Sequence, residues 1–254
     1  MTKAQTPTSA LAQADLLLLV AGAFSRPAHG IDALRQQSDA DLHELALRSS
    51  LPSSSALSAE LISLKATIDA TNQEDWAAWK TRLFEGPVLC PINETTYVRR
   101  DKGAILADIC GFYSAFGFQM SEAGGENPDH LAAELEFTAL LLIMWSQARQ
   151  AERTEAETVT RAALRAFLHD HLNEWLPIFV ERLCNTAAHP VATGIAAVLG
   201  TFWEGFATDF DLPTPHNALR KDEEDRAESD PSFECGLAGV CPTAPRATDI
   251  AQRG

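Results

Sequence analysis

Apolar residues recur at spacings of three and four along most of this chain, and that periodicity limits what it can fold into. Between about Ser9 and Thr208, alanine and leucine dominate and alternating β-branched runs are few, a pattern typical of one helix after another. Within Arg161 to Phe179, one helical face carries Leu164, Phe167, Leu168, Leu172, Trp175, Leu176 and Phe179. The sequence therefore predicts an all-α protein with a single-domain helical bundle.

Three segments refine this prediction. Phe137 to Trp145 is apolar at eight of nine positions, so this helix is expected to run through the centre of the bundle. Pro177 is expected to kink or restart its helix. Leu16 to Ala23 is interpreted as a retained helix rather than a signal-peptide core, because Asp15 borders it and Lys3 is the only basic side chain before it.

Breaks in the helical pattern predict the domain organisation. Glu85 to Arg100 and Ser121 to Pro128 contain Gly and Pro and are expected to be loops. After Asp211 the chain becomes rich in proline and acidic residues, which favours an extended, solvated segment. We expect residues 1–211 to form the helical domain and residues 212–254 to form an acidic, flexible tail that contains Pro and Cys.

Charge and cysteine content exclude several classes of protein. The 254 residues include 35 acids and 20 bases, for a formal net charge of -15, so nucleic-acid binding is not expected and basic partners are favoured. No uninterrupted apolar run approaches the eighteen or so residues of a membrane span. Five cysteines are an odd number in a long chain, which fits a reducing cytoplasm.

Common catalytic and metal-binding motifs are missing from the sequence. Neither GxxxxGK[ST] nor GxGxxG occurs, which argues against the nucleotide enzymes that use them. His43-Glu44 lacks the second histidine of a zinc-protease helix, because Leu47 stands in its place. The two Glu-x-x-His pairs of a di-iron bundle are also missing. We expect no metal, no cofactor and no enzymatic activity.

The segment Glu126 to Phe137, ENPDHLAAELEF, is called the signature segment below. Asn127 is expected to cap a helix with Pro128 in its first turn, and such a helix start alone explains much of the pattern. A second interpretation is functional. Glu126, Asp129 and His130 would form an acidic patch whose charge depends on the histidine, and such a patch would bind an arginine side chain.

The signature segment resembles that of the TorD/DmsD/NarJ family of redox-enzyme maturation chaperones. Other matches occur in the family's order from about Leu16 to Phe206. They are Phe24-Ser25-Arg26-Pro27, Leu83 to Pro87 with Pro91 and Glu94 to Tyr97, Tyr113 with Phe116 and Gly117, and the FLxxHLxxWxPxF pattern from Phe167 to Phe179.

The resemblance implies a TorD-like, all-helical cytoplasmic chaperone without enzymatic chemistry. Its partner would be the precursor of a molybdenum-containing oxidoreductase, held back from export until its cofactor is inserted. Such chaperones often bind the partner's twin-arginine signal peptide. The implied binding face contains Glu126, Pro128, Asp129 and His130 from the signature segment, and Phe84, Gly86, Pro87, Tyr97 and Trp79 from the loop region.

Other interpretations stay open. A scaffold of the same fold would bind the mature catalytic subunit instead of a signal peptide, and a helical metal-binding enzyme would use Glu126, His130 and Glu134. The client and the oligomeric state, monomer or helix-exchanged dimer, are not determined by the sequence. Cys235 and Cys241 in the tail are expected to be free thiols, and contact between the tail and the client is a further hypothesis.

Two expectations concern aromatic and histidine side chains. His171 lies on the apolar face of its helix and is expected to be a hydrogen-bonded core residue, whereas His169 points elsewhere. Trp76 and Trp79 lie near the first loop, and they are the tryptophans expected to face a partner in part.

Overall fold

Helices make up nearly all the regular structure in the computed structural model, which describes residues 5–25, 31–85, 89–120, 127–186 and 188–215. They are α1 (Pro7–Phe24), α2 (Asp32–Gln36), α3 (Asp39–Arg48), α4 (Ser54–Asp69), α5 (Gln73–Phe84), α6 (Lys102–Ala115), α7 (Leu131–Gln150), α8 (Thr154–Phe167), α9 (Asn173–Thr186) and α10 (Pro190–Asp209). Within the described residues the only β-type pairing is an isolated bridge between Asn93 and His130. The predicted all-α fold is confirmed.

The central position predicted for Phe137 to Trp145 is confirmed, because this segment lies in α7. That helix packs against α1 on one side and α8 on another, and most of its side chains are buried. A second layer is formed by α10, which packs on α4 and α9. The predicted apolar face from Leu164 to Phe179 is also confirmed, since all seven of its residues are buried.

Three of the helices, α1, α7 and α10, are long and apolar enough to cross a membrane by length and mean hydropathy. Polar residues interrupt all three, so none of them is an uninterrupted apolar run in the sequence. The structure buries 61%, 72% and 56% of their apolar windows, respectively. Packing inside the bundle therefore accounts for part of their apolar character, and Leu16 to Ala23 contributes to it as part of α1.

The interruption expected at Pro177 lies earlier in the chain. Pro177 is inside α9, and the helix widens instead at a π-helical turn, Leu168–Leu172. There the N–H of Asn173 donates to the carbonyl of Leu168, five residues back. Proline has no N–H and its ring crowds the carbonyl four residues before it, so a wide turn upstream is a common accommodation.

The helical domain ends in a defined capping motif. Asp211 has a positive φ of 52°, its N–H donates to Thr208 O, and the N–H of Leu212 donates to Ala207 O. This pair of bonds closes the last turn of α10 in a Schellman motif. Every described residue lies within the compact unit Met1–Ala218. Residues 216–254 of the predicted tail, which include Cys235 and Cys241, lie outside the described residues.

Gly205 allows α10 to approach the turn before α4 closely. Substitution of this glycine therefore tests the packing of α10 against that turn. A Cβ at this position would overlap Ser53 Oγ and lie 3.2 Å from Leu51 Cβ. We expect Gly205→Ala to lower the free energy of unfolding by about 1–3 kcal/mol, because steric overlap outweighs the helix propensity of alanine. Urea unfolding followed by circular dichroism measures the change.

Gly111→Ala is the matched control, because Gly111 is exposed in α6 and a Cβ there would meet nothing within 4 Å. We expect it to stabilise the protein by about 0.5–1 kcal/mol. Equal effects of the two substitutions would show that α10 does not require the glycine.

Candidate functional site

Residues 89–100, called the strap below, connect α5 to α6 and lie against the residues that precede α7. The N–H of Glu94 donates to Asp129 O at 3.0 Å, and the N–H of Leu131 donates to Ile92 O at 2.9 Å. These bonds flank the bridge between Asn93 and His130. Loop backbone groups that would otherwise need water are thereby satisfied within the protein.

The Asp129 carboxylate holds the strap in place. Its Oδ1 accepts from Asn93 Nδ2 at 3.0 Å, and its Oδ2 accepts from Thr95 N at 3.1 Å and from Thr95 Oγ1 at 2.7 Å. Only 1% of Asp129 is exposed. In this structure the acid expected to bind an arginine is buried and has three donors of its own.

His130, rather than Asn127, caps α7, and the expected helix start at Pro128 is therefore wrong. His130 Nδ1 accepts from the N–H of Ala132 at 3.2 Å, and its φ and ψ of -77° and 136° are extended. Its pairing with Asn93 requires that extended backbone, so the helix begins only at Leu131. Asn127 instead forms a turn in which its carbonyl accepts from the N–H of His130.

The structure brings part of the predicted face together. Asp129 and His130 contact the strap, which also carries Tyr97. The carbonyl of Pro128 instead accepts from the Tyr113 hydroxyl of α6 at 2.9 Å. Tyr97 is half-buried and stacks on Trp175, with ring centroids 5.5 Å apart. Its hydroxyl donates to Pro91 O at 2.6 Å. Burial raises the pKa of the Tyr97 phenol above its ordinary value, so this hydroxyl stays protonated and fastens the strap.

The other predicted residues lie apart from this cluster or outside the described residues. Phe84 is buried at the end of α5, with its ring edge-on to Phe24. Trp79 is half-buried against His189, at a centroid distance of 5.7 Å. Trp76 is fully buried, so the expectation that it faces a partner is wrong. Gly86, Pro87 and Glu126 lie outside the described residues.

Two buried carboxyl groups, Glu94 of the strap and Glu134 of α7, were not identified as a pair from the sequence. Glu94 Oε2 is hydrogen-bonded to His171 Nδ1 at 2.9 Å, and Glu134 Oε2 accepts from Trp175 Nε1 at 3.0 Å. Both acids and His171 are 0% exposed, which confirms the core role expected for His171. His169 is exposed beside Asp170, as its helical position predicts.

The environment of this carboxyl pair changes the pKa of Glu134. Burial, followed by the negative charge of Glu94, raises the pKa of Glu134 well above its ordinary value. Each acid also has one buried oxygen, Oε1, without a hydrogen-bond partner in the described structure. Glu134 therefore keeps its proton to a higher pH than an exposed glutamate does.

The geometry does not favour a metal-binding enzyme. Across the described part of the chain, no group of three or more His, Cys, Asp or Glu side chains is arranged to hold a metal ion. His130 Nδ1 is occupied by the helix cap and Glu134 Oε2 by Trp175, while Glu126 lies outside the described residues. The arrangement positions a loop on a helical core.

Comparison with known protein families identifies the family of this chain. A match to the nitrate reductase delta subunit family covers residues 52–181, about half of the chain, including α4 to α8, the strap and the first part of α9. The chain belongs to the nitrate reductase delta subunit family. Membership confirms the resemblance to the TorD/DmsD/NarJ maturation chaperones.

Three relatives of this delta-subunit-family chain are assembly chaperones. It is 44% identical over 82 residues to the selenate reductase assembly chaperone protein of Thauera selenatis, covering 32% of this chain and 42% of that protein. It is 40% identical over 84 residues to the chlorate reductase assembly chaperone protein of Ideonella dechloratans, covering 33% and 42%, respectively. The match to the perchlorate reductase assembly chaperone protein of Dechloromonas aromatica is 32% identical over 109 residues, covering 41% and 48%. The chain thus spans less than half the length of each of these relatives.

The raised pKa of Glu134 predicts a pH-dependent stability. The unfolded chain loses this proton near pH 4.5, whereas the folded chain keeps it to higher pH. The stability linked to the proton is therefore complete below the unfolded-state pKa and declines as pH rises through the folded-state value. Glu134→Gln keeps an acceptor for Trp175 without a titrating group, so we expect its stability relative to wild type to increase with pH above about 4.5.

Urea unfolding from pH 4.5 to pH 9 tests this expectation. Glu204→Gln on the exposed side of α10 is the control for removal of a surface carboxyl. Parallel stability profiles for wild type and Glu134→Gln would contradict a proton held by the buried pair.

Removal of the Asp129 carboxylate is expected to loosen the strap. Asp129→Ala leaves the Thr95 and Asn93 donors without their acceptor, so we expect a loss of about 3 kcal/mol or more in the free energy of unfolding. Asp101→Ala is the control, because Asp101 accepts one bond, from the N–H of Ala104, at the exposed start of α6. Its expected cost is about 1 kcal/mol.

Urea unfolding compares Asp129→Ala with Asp101→Ala, and limited trypsin digestion reports cleavage at Arg99 and Arg100 at the end of the strap. Faster cleavage is expected only for Asp129→Ala. Equal destabilisation of the two variants would mean that Asp129 acts as an ordinary helix-start acid.

Proposed function

We propose that this protein is a cytoplasmic assembly chaperone for a molybdenum-containing oxidoreductase. It binds the precursor of the catalytic subunit, assists cofactor insertion and assembly, and delays export until these are complete. The observation that carries the proposal is the similarity to three proteins named as reductase assembly chaperones. In this role the protein binds its client without chemical turnover.

The proposed client segment is a twin-arginine signal peptide, which has two arginines followed by an apolar stretch. The chain's net charge of -15 favours approach of such a basic segment. The proposed contact face contains the half-buried side chains of Trp79, Tyr97 and Pro128, together with Phe84, Gly86, Pro87 and Glu126. Asp129 and His130 contribute by holding the strap and the start of α7 in position.

The mature catalytic subunit is a second candidate client surface. The observation that favours it is the burial of Asp129, whose three hydrogen-bond donors come from within the chain. A face without this acid is less selective for arginine and depends more on apolar and aromatic contact. The two candidates predict different responses to loss of the arginine pair.

Titration with fluorescently labelled peptide separates the two candidates. The probe is the twin-arginine signal peptide of the molybdoenzyme catalytic subunit encoded beside this chain, and its control has both arginines replaced by alanine. We expect saturable binding of the first peptide and at least about tenfold weaker binding of the second, because charge-assisted contacts contribute roughly 1.5–3 kcal/mol each.

A parallel pull-down uses the catalytic subunit with and without its signal peptide. Capture of both forms, with no peptide binding, would assign recognition to the mature subunit. Failure to capture either form with folded chaperone would contradict the proposed function.

A further inference from the structure

A groove lies between α1, α2 and α3, outside the site described above. Its volume is about 420 Å³, within the range of binding pockets for small ligands and side chains. The lining residues are Asp15, Leu18, Leu19, Ala33, Gln37, Asp41 and Leu45. None of these described residues belongs to the strap, to α5 or to the signature segment.

The floor of the groove is apolar where a surface helix is usually polar. Leu18 is 43% exposed, and Leu19 and Leu45 are partly buried beside it. On its other face α1 buries Leu17 and Ala21 against the core. Helix α1 is thus apolar on both faces, which a surface helix without a partner does not require.

The rim of the groove is acidic. Asp15 on α1 and Asp41 in the first turn of α3 are both exposed, and no lysine or arginine is among the described lining residues. Asp41 Oδ2 accepts from the Ser38 hydroxyl at 2.7 Å and from the Ser38 N–H at 3.3 Å in the capping box of α3, and the Asp41 side chain stays exposed. The groove therefore combines an apolar floor with surface carboxylates, whereas Asp129 at the strap is buried.

Charge decides between possible occupants. A second copy of this chain would bring another net charge of -15 to an acidic rim, which opposes self-association. An apolar helical segment that carries basic residues matches both parts of the groove, since its apolar face contacts the leucines and its bases pair with the carboxylates.

We propose that the groove formed by α1, α2 and α3 binds the apolar stretch of the client's signal peptide, with the adjacent arginines at Asp15 and Asp41. This inference rests on the proposed function, because that peptide has the required composition. It assigns arginine recognition to surface acids on α1 and α3. The strap and the start of α7 then form a separate contact or a structural support.

Leu18→Lys tests the apolar contact. Because Leu18 is exposed, the variant is expected to keep the helix content and thermal stability of wild type. We expect signal-peptide affinity to fall roughly tenfold or more, since apolar contact is lost and the new charge repels the arginines. Val159→Lys is the matched control, because Val159 is an apolar residue of α8 with 55% exposure that does not line the groove.

Asp15→Lys tests the pairing of charges. We expect it to weaken binding of the wild-type peptide while removing most of the difference between that peptide and its arginine-to-alanine form. Glu204→Lys on exposed α10 is the control for net charge. A photoreactive group in the apolar stretch of the peptide is expected to cross-link to α1 or α3.

The outcomes distinguish this inference from the proposed function. Unchanged binding in Leu18→Lys and Asp15→Lys, or cross-links confined to the strap and α5, would overturn the groove while leaving a signal-peptide chaperone intact. Capture of the mature subunit without peptide binding would overturn the groove's occupant but not the chaperone function. Capture of neither precursor nor mature subunit would contradict both.

Discussion

The arrangement of the bundle around the strap depends on the Asp129 carboxylate. Buried acids are costly unless hydrogen-bonded, and three donors from the strap satisfy this one. Because Asp129 lies two residues before the first residue of the central helix α7, the same bonds attach the strap to the start of that largely buried helix. Hydrogen bonds to the buried Asp129 carboxylate therefore fix the position of the connection between α5 and α6.

The buried carboxyl pair of Glu94 and Glu134 follows the same physical rule. Burial and the negative charge of Glu94 raise the pKa of Glu134, so this acid keeps its proton to a higher pH than an exposed glutamate does. Glu94 then faces His171, while Trp175 donates to Glu134 and also stacks on Tyr97. Hydrogen bonds of the buried polar groups and aromatic packing thus hold the strap together in one network. Loss of one contact in such a network weakens the others.

Local patterns were sufficient to predict the helices, because each apolar face is written in residues three and four apart. The buried face from Leu164 to Phe179 and the central helix around Phe137 are examples. The start of α7 was not predictable in this way. Its cap depends on pairing between Asn93 and His130, which are far apart in the chain, and no local signal shows that His130 must be extended. The same limit applies to Glu94 and His171, and to the full burial of Trp76.

The position of the acids separates structural from recognition roles. The sequence motif Asn127-Pro128-Asp129-His130 does not show whether its carboxylate is structural or functional. A carboxylate can hold a loop in place, and it can also bind an arginine of a partner. Burial decides between them, since an acid whose oxygens already accept three internal bonds has little to offer an external arginine without release of the strap. Asp15 and Asp41 retain surface carboxylates beside exposed apolar side chains. Charge-selective contact with an apolar peptide therefore requires less rearrangement in the groove than at the signature segment.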